Sequence, residues 1–338
     1  MVFSSITFIY LYLPVTLIIY YSVPVKWKNV CLLIANIVFY SYGEPMYLLL
    51  MLASILLNYI SGCLVGKYVQ KRKKLAKKIL ILNTVINVSL LLFFKYLDMV
   101  IRGLSHIVLF RHWHSLGLAL PIGISFYTFQ AMSYPIDIYR GEVKREHSLL
   151  KFATYVSLFP QLIAGPIVRY REVASELSKR NESLERLAKG IRRFTVGLAK
   201  KVLLANNIGQ LWNICNARPV NELSVLEAWL GIIAFTFQIY FDFSGYSDMA
   251  IGLGEMIGFT FPDNFNYPYI SRSITEFWRR WHITLSSWFR DYVYIPLGGN
   301  KKGKKRQLIN IWIVWSLTGL WHGSSLNYLL WGDTMVYC

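Results

Sequence analysis

The sequence is short of charge and above all of acidic residues. Charged residues make up 16% of its 338 residues, against about 25% in an ordinary globular domain. Acidic residues number 18 and basic residues 36, so the formal net charge is +18. A hydrophobic fraction of 55% excludes intrinsic disorder. It also argues against a soluble enzyme, because one core of ordinary size could not bury so much apolar surface.

Cysteine is scarce as well, and several familiar motifs are missing. The four cysteines show no CxxC or paired spacing, so the sequence predicts neither a disulfide framework nor a metal site. No Gly-x-Ser-x-Gly segment is present, which argues against a serine nucleophile on a strand-to-helix elbow. No recognised nucleic-acid motif accompanies the basic residues, so we do not expect a nucleic-acid partner.

What the sequence does contain is a series of long uncharged runs. Several reach the roughly 20 residues that a helix needs to cross a bilayer, and the others come close. The pattern predicts an all-α polytopic membrane protein. The runs are Met1–Val25, Asn29–Gly43, Pro45–Gly66, Ile79–Phe94, Ser115–Ile136, Ala228–Phe241 and Gln307–Gly332.

Basic residues are clustered between these runs. Lys67–Lys78 holds seven, Lys179–Lys201 eight and Lys301–Arg306 five. Because positive loops favour the cytoplasm, an N-terminus outside the cell gives a consistent topology over the first five spans. We interpret the clusters as topology signals that also contact anionic lipid. A docking surface for an acidic soluble partner is the alternative.

One apolar segment, Phe152–Val168, does not fit this alternation. Basic segments flank it on both sides, and it contains Pro160, Gly165 and Pro166, which interrupt helices. We expect a re-entrant hairpin that returns to the cytoplasmic side. Such backbone is tolerated at membrane depth only where protein buries it or a polar cavity adjoins it.

Two aspartates follow an apolar run directly. Asp242 and Asp248 flank Gly245 in the segment from Gln238 onward. Ionisable groups at membrane depth commonly mark a functional cavity. Alternatively, the two carboxylates cap helices at a break around Gly245. The residues alone leave both interpretations open.

The segment from Ser273 to Tyr292 predicts one amphipathic helix near the membrane interface. Ser273 followed by Glu276 fits a capping box. Within this segment His282 has Trp278 four residues before it and Ser286 four after it, a spacing that also suits structural packing. The expected aromatic stripe consists of Phe277, Trp281, Trp288 and Tyr292.

A second histidine stands far into the last apolar run. His322 lies 16 residues beyond Arg306, or roughly 24 Å along a helix. Gly319 and Gly323 flank it and allow backbone or ligand to approach closely. The imidazole is either a proton-transfer group or a buried group bonded to a neighbouring helix. His112 and His114, in contrast, are expected in an external loop without a functional role.

Taken together, these segments resemble the membrane-bound O-acyltransferase family, in its alginate O-acetyltransferase (AlgI-like) branch. The resemblance covers essentially the whole chain. It rests on Met1–Ser5, Pro121–Gln130, Phe159–Pro166, Phe241–Asp248, Phe277–Tyr292 and Gly319–Gly323.

The resemblance implies a fold and a set of site residues. The fold is a ring of tilted transmembrane helices with re-entrant segments around a central funnel. The expected catalytic residues are His322, which matches the catalytic histidine of the family, and His282, which matches its second characteristic histidine and would bind or polarise the donor or the acceptor. The residues expected to bind donor or acceptor are Trp278, Arg279, Trp321, Asp242, Tyr246 and Ser286.

The implied activity is acetyl transfer from a cytoplasmic thioester, such as acetyl-CoA, toward an extracytoplasmic polysaccharide. His322 is expected to act as general base, without a bound cofactor or metal. The resemblance further implies a bacterial cytoplasmic membrane location and an extracytoplasmic SGNH-type acetyltransferase as partner. The alternatives are D-alanyl transfer of the DltB type to teichoic acid, a polymer or lipid transporter using His322 and Asp242 as proton relays, and a scaffold that recruits the true acyltransferase.

Residues 1–338 are expected to form one membrane domain. Residues 1–151 would supply the N-terminal spans, and residues 152–338 the re-entrant segment and catalytic core. The chain stops sixteen residues after His322, whereas family members continue with further helices. We therefore expect a C-terminally truncated chain.

Overall fold

The computed structural model describes residues 2–105 and 116–336, which form helices and connecting segments without a β-strand. The all-α prediction is confirmed. His112 and His114 lie outside the described residues. The helices are α1 (Phe8–Ser22), α2 (Lys28–Gly43), α3 (Leu48–Tyr68), α4 (Lys73–Leu104), α5 (Ile124–Arg140), α6 (Leu149–Ser157), α7 (Phe159–Leu162), α8 (Tyr170–Val173), α9 (Leu184–Ala199), α10 (Asn206–Asn216), α11 (Val225–Met256), α12 (Ile274–Arg280), α13 (Ile283–Phe289), α14 (Lys304–His322) and α15 (Leu326–Thr334).

In the part of the chain that the structure describes, three helices, α3, α4 and α11, are long and apolar enough to cross a membrane, and α1 is a shorter apolar helix. Two of the uncharged runs differ from single spans. In the run Ser115–Ile136, helix α5 begins only at Ile124, after Gly123 with a φ of 76°. The run Gln307–Gly332 contains two helices, α14 and α15, which are separated at Gly323.

Several helix ends meet at one end of the molecule, which we call the basic end. Glu182, just before α9, accepts from Tyr20 near the end of α1 and pairs with Lys28 at the start of α2. At the end of α5, Arg140 donates to the carbonyl oxygen of Asp291. The end of α3 packs against Arg145 through Gly66. The basic clusters adjoin these contacts, as positive-inside topology predicts.

An ion-pair network stabilises the basic end around Asp291. The buried Arg169 donates to the Asp291 carboxylate over 2.6 Å, and Arg290 donates over 2.8 Å. Burial opposes ionisation of Asp291, but these hydrogen bonds outweigh it and hold the pKa of this carboxyl below its usual range.

The segment Phe152–Val168 enters the protein and turns back, as the hairpin prediction requires. Its helix breaks between α6 and α7 at Leu158, and its far turn at Leu162 contacts Gly123, at the start of α5. The returning chain brings the carbonyl oxygen of Val168 to 2.9 Å from the Tyr155 hydroxyl. Nearly all of these side chains are buried in protein, which is the condition for non-helical backbone at membrane depth.

Helices α9 and α11 cross closely because glycines meet at their contact. A Cβ on Gly197 would lie 2.5 Å from the carbonyl oxygen of Gly245, and one on Gly245 would lie 2.7 Å from that of Gly197. Small residues permit such close helix contacts in membranes. A second pair of glycines, Gly190 and Gly252, approaches equally closely further along the same two helices.

Of the two interpretations left open for Asp242 and Asp248, the one in which they cap a helix break is wrong. Helix α11 continues through Gly245 without interruption, because the glycine is used for close packing. Both carboxylates instead pair with cations across the helix contact. Asp242 binds Lys201, and Asp248 binds Lys200 and Arg193.

The prediction of one amphipathic helix over 273–292 is also wrong. Ser273 caps α12 as expected, accepting from the amide of Glu276 over 3.1 Å. However, α12 ends at Arg280, and His282 adopts left-handed backbone with a φ of 45° before α13 begins. The aromatic stripe is thereby divided. Phe277 and Trp281 stack at 5.6 Å, whereas Trp288 and Tyr292 form a separate pair at 5.0 Å.

The glycine contact between α9 and α11 can be tested by adding a single methyl group. We expect Gly197→Ala to cost about 1–3 kcal/mol in free energy of unfolding, because the facing carbonyl belongs to backbone and cannot move aside. The measurement is thermal unfolding in detergent micelles. The control is Gly103→Ala, since a Cβ there meets no atom of residues 2–105 and 116–336 within 4 Å. Equal stability of the two variants would contradict the packing argument.

Candidate active site

Helices α14 and α15 form a tight hairpin that holds His322 at its bend. A Cβ on Gly319 would collide with the carbonyl oxygen of Tyr328, and one on Gly323 would collide with the Tyr328 ring. The glycines beside His322 are expected to permit a close approach. The groups that approach them are the backbone and the Tyr328 ring of α15. His322 is the last residue of α14, roughly 27 Å along the axis from Lys304 at 1.5 Å per residue.

The far end of α14 is held by two side chains from α4. Lys95 donates to the carbonyl oxygen of Trp321, and Tyr96 donates to those of Leu320 and Gly323. These carbonyls have no partner within the helix, so the two donors satisfy groups that would otherwise be costly in an apolar setting. A lysine directly after an apolar run was the sequence signal for this contact, and our sequence reasoning missed it.

His282 is buried, with 2% of its surface exposed, and its ring is fixed from one side. Its Nδ1 lies 3.1 Å from Oδ1 of Asn264. The same oxygen accepts from the amide and hydroxyl groups of Thr284, at 3.2 and 2.9 Å. Phe243 packs edge-on against the imidazole at 4.8 Å. Sequence reasoning missed Asn264, which lies 18 residues before its partner.

Trp321 connects the two histidines. Its ring centroid lies 5.9 Å from that of His282 and 4.9 Å from that of His322. Phe126 of α5 packs edge-on against the same indole at 5.4 Å. Residues 40 apart in sequence are thus brought to one aromatic cluster.

Both histidines line a cavity of about 190 Å³, which we call the two-histidine cavity. Arg290 and Tyr294 belong to its wall, on the segment that follows α13, and the neighbouring Asp291 belongs to the basic end. This cavity therefore lies on the basic-end side of His322. Its remaining lining residues are Trp278, Trp281, Leu285, Ser286, Phe289, Val314, Trp315 and Thr318.

A second cavity, of about 370 Å³, lies on the other side of His322. It is lined by Lys95, Asp98 and Arg102, which follow one another along the last turns of α4. Because α4 starts at the basic cluster and ends here, this second cavity lies toward the opposite end of the molecule. His322 is exposed and belongs to the walls of both cavities.

The structure brings some of the predicted site residues together and separates others. His322, His282, Trp278 and Ser286 line the two-histidine cavity, and Trp321 contacts both imidazoles. Three other predicted binding residues lie outside the walls of both cavities. Asp242 pairs with Lys201, Tyr246 stacks on Phe3 at 4.7 Å, and Arg279 is exposed on α12.

The chain has the features of a membrane enzyme. It combines a helical fold with apolar spans, a buried re-entrant segment and two histidines at one cavity. The sequence profile of the membrane-bound O-acyltransferase family matches residues 139–338. The chain is also 44% identical, over 98% of its length, to a protein of Pseudomonas aeruginosa named probable alginate O-acetylase AlgI. The chain belongs to the membrane-bound O-acyltransferase family.

Other relatives bear different names. A peptidoglycan O-acetyltransferase of Helicobacter pylori is 35% identical over 98% of the chain and 68% of its own length. A teichoic acid D-alanyltransferase of Bacillus subtilis is 31% identical over 62% of the chain and 56% of its own length. The chain spans 64% of the length of the Pseudomonas aeruginosa protein.

The different exposure of the two histidines leads to a chemical test. Diethyl pyrocarbonate acylates accessible neutral imidazoles, so we expect it to modify His322 quickly and His282 slowly. Mass spectrometry of peptides from the folded protein measures both rates. The exposed His147 serves as a positive control. Modification of His282 as fast as His322 would contradict the described burial.

Proposed function

We propose that this protein transfers an acetyl group from a thioester donor to a hydroxyl acceptor, with His322 as the general base. The observation that supports this most strongly is the position of His322 in the walls of two cavities. The two-histidine cavity lies toward the basic end, and the second cavity lies toward the opposite end. A donor and an acceptor approaching from opposite ends would meet at this imidazole.

The proposed step needs no covalent enzyme intermediate. His322 removes the proton from the acceptor hydroxyl as its oxygen attacks the thioester carbonyl carbon. The new C–O bond forms, the C–S bond breaks, and the leaving thiolate takes the proton back from the imidazolium. Lys95 and Tyr96 hold the end of α14, which keeps the imidazole in position because small displacements of a catalytic group are costly.

The charge distribution supports a direction for this transfer. The basic end carries the clusters that favour the cytoplasmic face, so the donor would enter from the cytoplasm of a bacterial cell. A cationic entrance raises the local concentration of an anionic donor such as acetyl-CoA. The protein would then be a multi-pass protein of the cytoplasmic membrane.

The acceptor is proposed from the relatives. Their names mention alginate and peptidoglycan O-acetylation, which supports a cell-surface polysaccharide as the final acceptor. An extracytoplasmic SGNH-type acetyltransferase that completes the transfer remains a prediction from the family resemblance. D-alanyl transfer to teichoic acid is the second candidate, since a D-alanyltransferase also matches, over a smaller part of the chain.

The transporter alternative has less support from the geometry. It would use His322 and Asp242 as consecutive proton relays. Asp242, however, is paired with Lys201 and belongs to the wall of neither cavity. A scaffold role does not require the His322 imidazole, so replacement of His322 distinguishes a scaffold from an enzyme.

We expect His322→Ala to reduce transfer on the order of 10²–10⁴-fold, the usual contribution of a general base. The measurement is ester-linked acetate on the surface polymer of a deletion strain complemented with each variant. The control is His147→Ala, which removes an exposed histidine at the basic end.

Each alternative predicts a different result in the same strains. A transporter would lose the polymer itself from the surface when His322 is replaced. A scaffold would retain normal acetylation in His322→Ala at normal protein levels, and this result would refute the proposed function. D-alanyl esters in place of acetyl esters would move the proposal to the second candidate.

A further inference from the structure

Asn264 contacts His282 at the site but has no role in the transfer step described above. It lies in the extended segment between α11 and α12 and is buried, with 1% of its surface exposed. Its backbone oxygen accepts from the amide of Ile283 over 3.0 Å. Its side-chain oxygen accepts hydrogen bonds from the amide and from the hydroxyl group of Thr284, and it faces Nδ1 of His282. One residue thus contacts His282, at the left-handed turn, and the two residues that follow it.

The identity of the Asn264 atom that faces His282 follows from its partners. The backbone amide of Thr284 can only donate, so the side-chain atom 3.2 Å away must be the oxygen and not the nitrogen. The Thr284 hydroxyl fits this assignment. It accepts from the amide of Ile167 over 3.0 Å and donates its single proton to Asn264.

This assignment fixes the proton on the imidazole. An amide oxygen can only accept, so Nδ1 of His282, 3.1 Å away, must carry hydrogen and donate. A neutral imidazole has one N–H, so its Nε2 then holds a lone pair. Asn264 is uncharged and, unlike an aspartate, adds no negative charge to favour the imidazolium form.

The Nε2 atom of His282 is buried and has no hydrogen-bond partner among residues 2–105 and 116–336. His282 itself lines the two-histidine cavity. A buried acceptor without a partner costs free energy, and a bound ligand with an O–H or N–H group would remove this cost. A thioester carbonyl has only acceptor atoms and cannot do so.

We propose that Asn264 is a positioning residue that holds His282 in the Nδ1–H form, so that Nε2 accepts a hydrogen bond from an O–H or N–H group of the bound substrate. This inference rests on the proposed function for the nature of the substrate. It divides the work between the histidines. His282 orients a substrate through a hydrogen bond, and His322 transfers the proton.

The donating group has two possible sources, an amide N–H in the arm of the acyl donor or a hydroxyl of the acceptor other than the one that His322 deprotonates. Acetyl-CoA and an acetyl thioester without amide groups distinguish them in assays with His282→Ala. A KM penalty that disappears with the amide-free thioester assigns the group to the donor. A penalty that persists assigns the group to the second, non-reacting hydroxyl of the acceptor, and no penalty with either thioester would overturn the proposed hydrogen bond.

The direct test is the ¹⁵N spectrum of the histidine side chains in the full protein, with His282→Gln used to assign the signals. We expect a protonated Nδ1 and a non-protonated Nε2 at neutral pH. An Nε2–H tautomer or an imidazolium would overturn the proposal. The spectrum needs no activity, so its outcome is separate from that of the His322 variant that tests the proposed function.

A matched pair of variants tests the positioning role. Asn264→Leu removes the oxygen that fixes the tautomer, so we expect mixed tautomers and transfer lowered about tenfold. Thr284→Val removes two hydrogen bonds from the same turn and leaves Asn264 facing His282. The His282 imidazole should therefore remain entirely in the Nδ1–H form. Equal tautomer mixing in both variants would indicate only a general loosening and would contradict the role of Asn264. If Asn264→Leu does not fold, the spectrum of the unsubstituted protein still decides the question.

Discussion

The site depends most on the hydrogen bonds that the side-chain oxygen of Asn264 accepts. At the turn of His282 two backbone amides lack helical partners. The side-chain oxygen accepts from the amide of Thr284 and faces the imidazole of His282, and the backbone oxygen of Asn264 accepts from the amide of Ile283. Through Thr284 the side-chain oxygen also connects this turn to Ile167 in the returning part of the re-entrant segment. Polar backbone away from helices needs such partners wherever water is excluded. Two irregular segments, distant in sequence, therefore satisfy each other's hydrogen-bonding groups. Together they place one imidazole beside the cavity.

Much of the architecture follows from patterns that are local in sequence. Uncharged runs mark the apolar helices, and two prolines with a glycine mark the re-entrant segment. The break at His282 could not be predicted in this way, because the aromatic spacing from Phe277 to Tyr292 also suits one helix. The break is stabilised by Asn264, 18 residues earlier, and such a contact leaves no local periodic signal.

The aspartates of α11 illustrate a second limit. Asp242 and Asp248 flank a glycine, and this arrangement is compatible with a capped break. Gly245 instead permits close contact with Gly197 inside an unbroken helix, and the carboxylates pair with Lys200 and Lys201, directly after the end of α9. Sequence distinguishes these arrangements only when the helix partner is known. Family resemblance, in contrast, identified both histidines of the cavity without any knowledge of the contacts.

The proposed function requires that acyl transfer runs from the basic end to the opposite end across His322. It is tested most directly with the protein in liposomes of known orientation, with labelled acetyl thioester on one side and acceptor on the other. We predict labelled acceptor only when the thioester is on the side of the basic end. Equal labelling with the thioester on the side of the Lys95-lined cavity would contradict the claim.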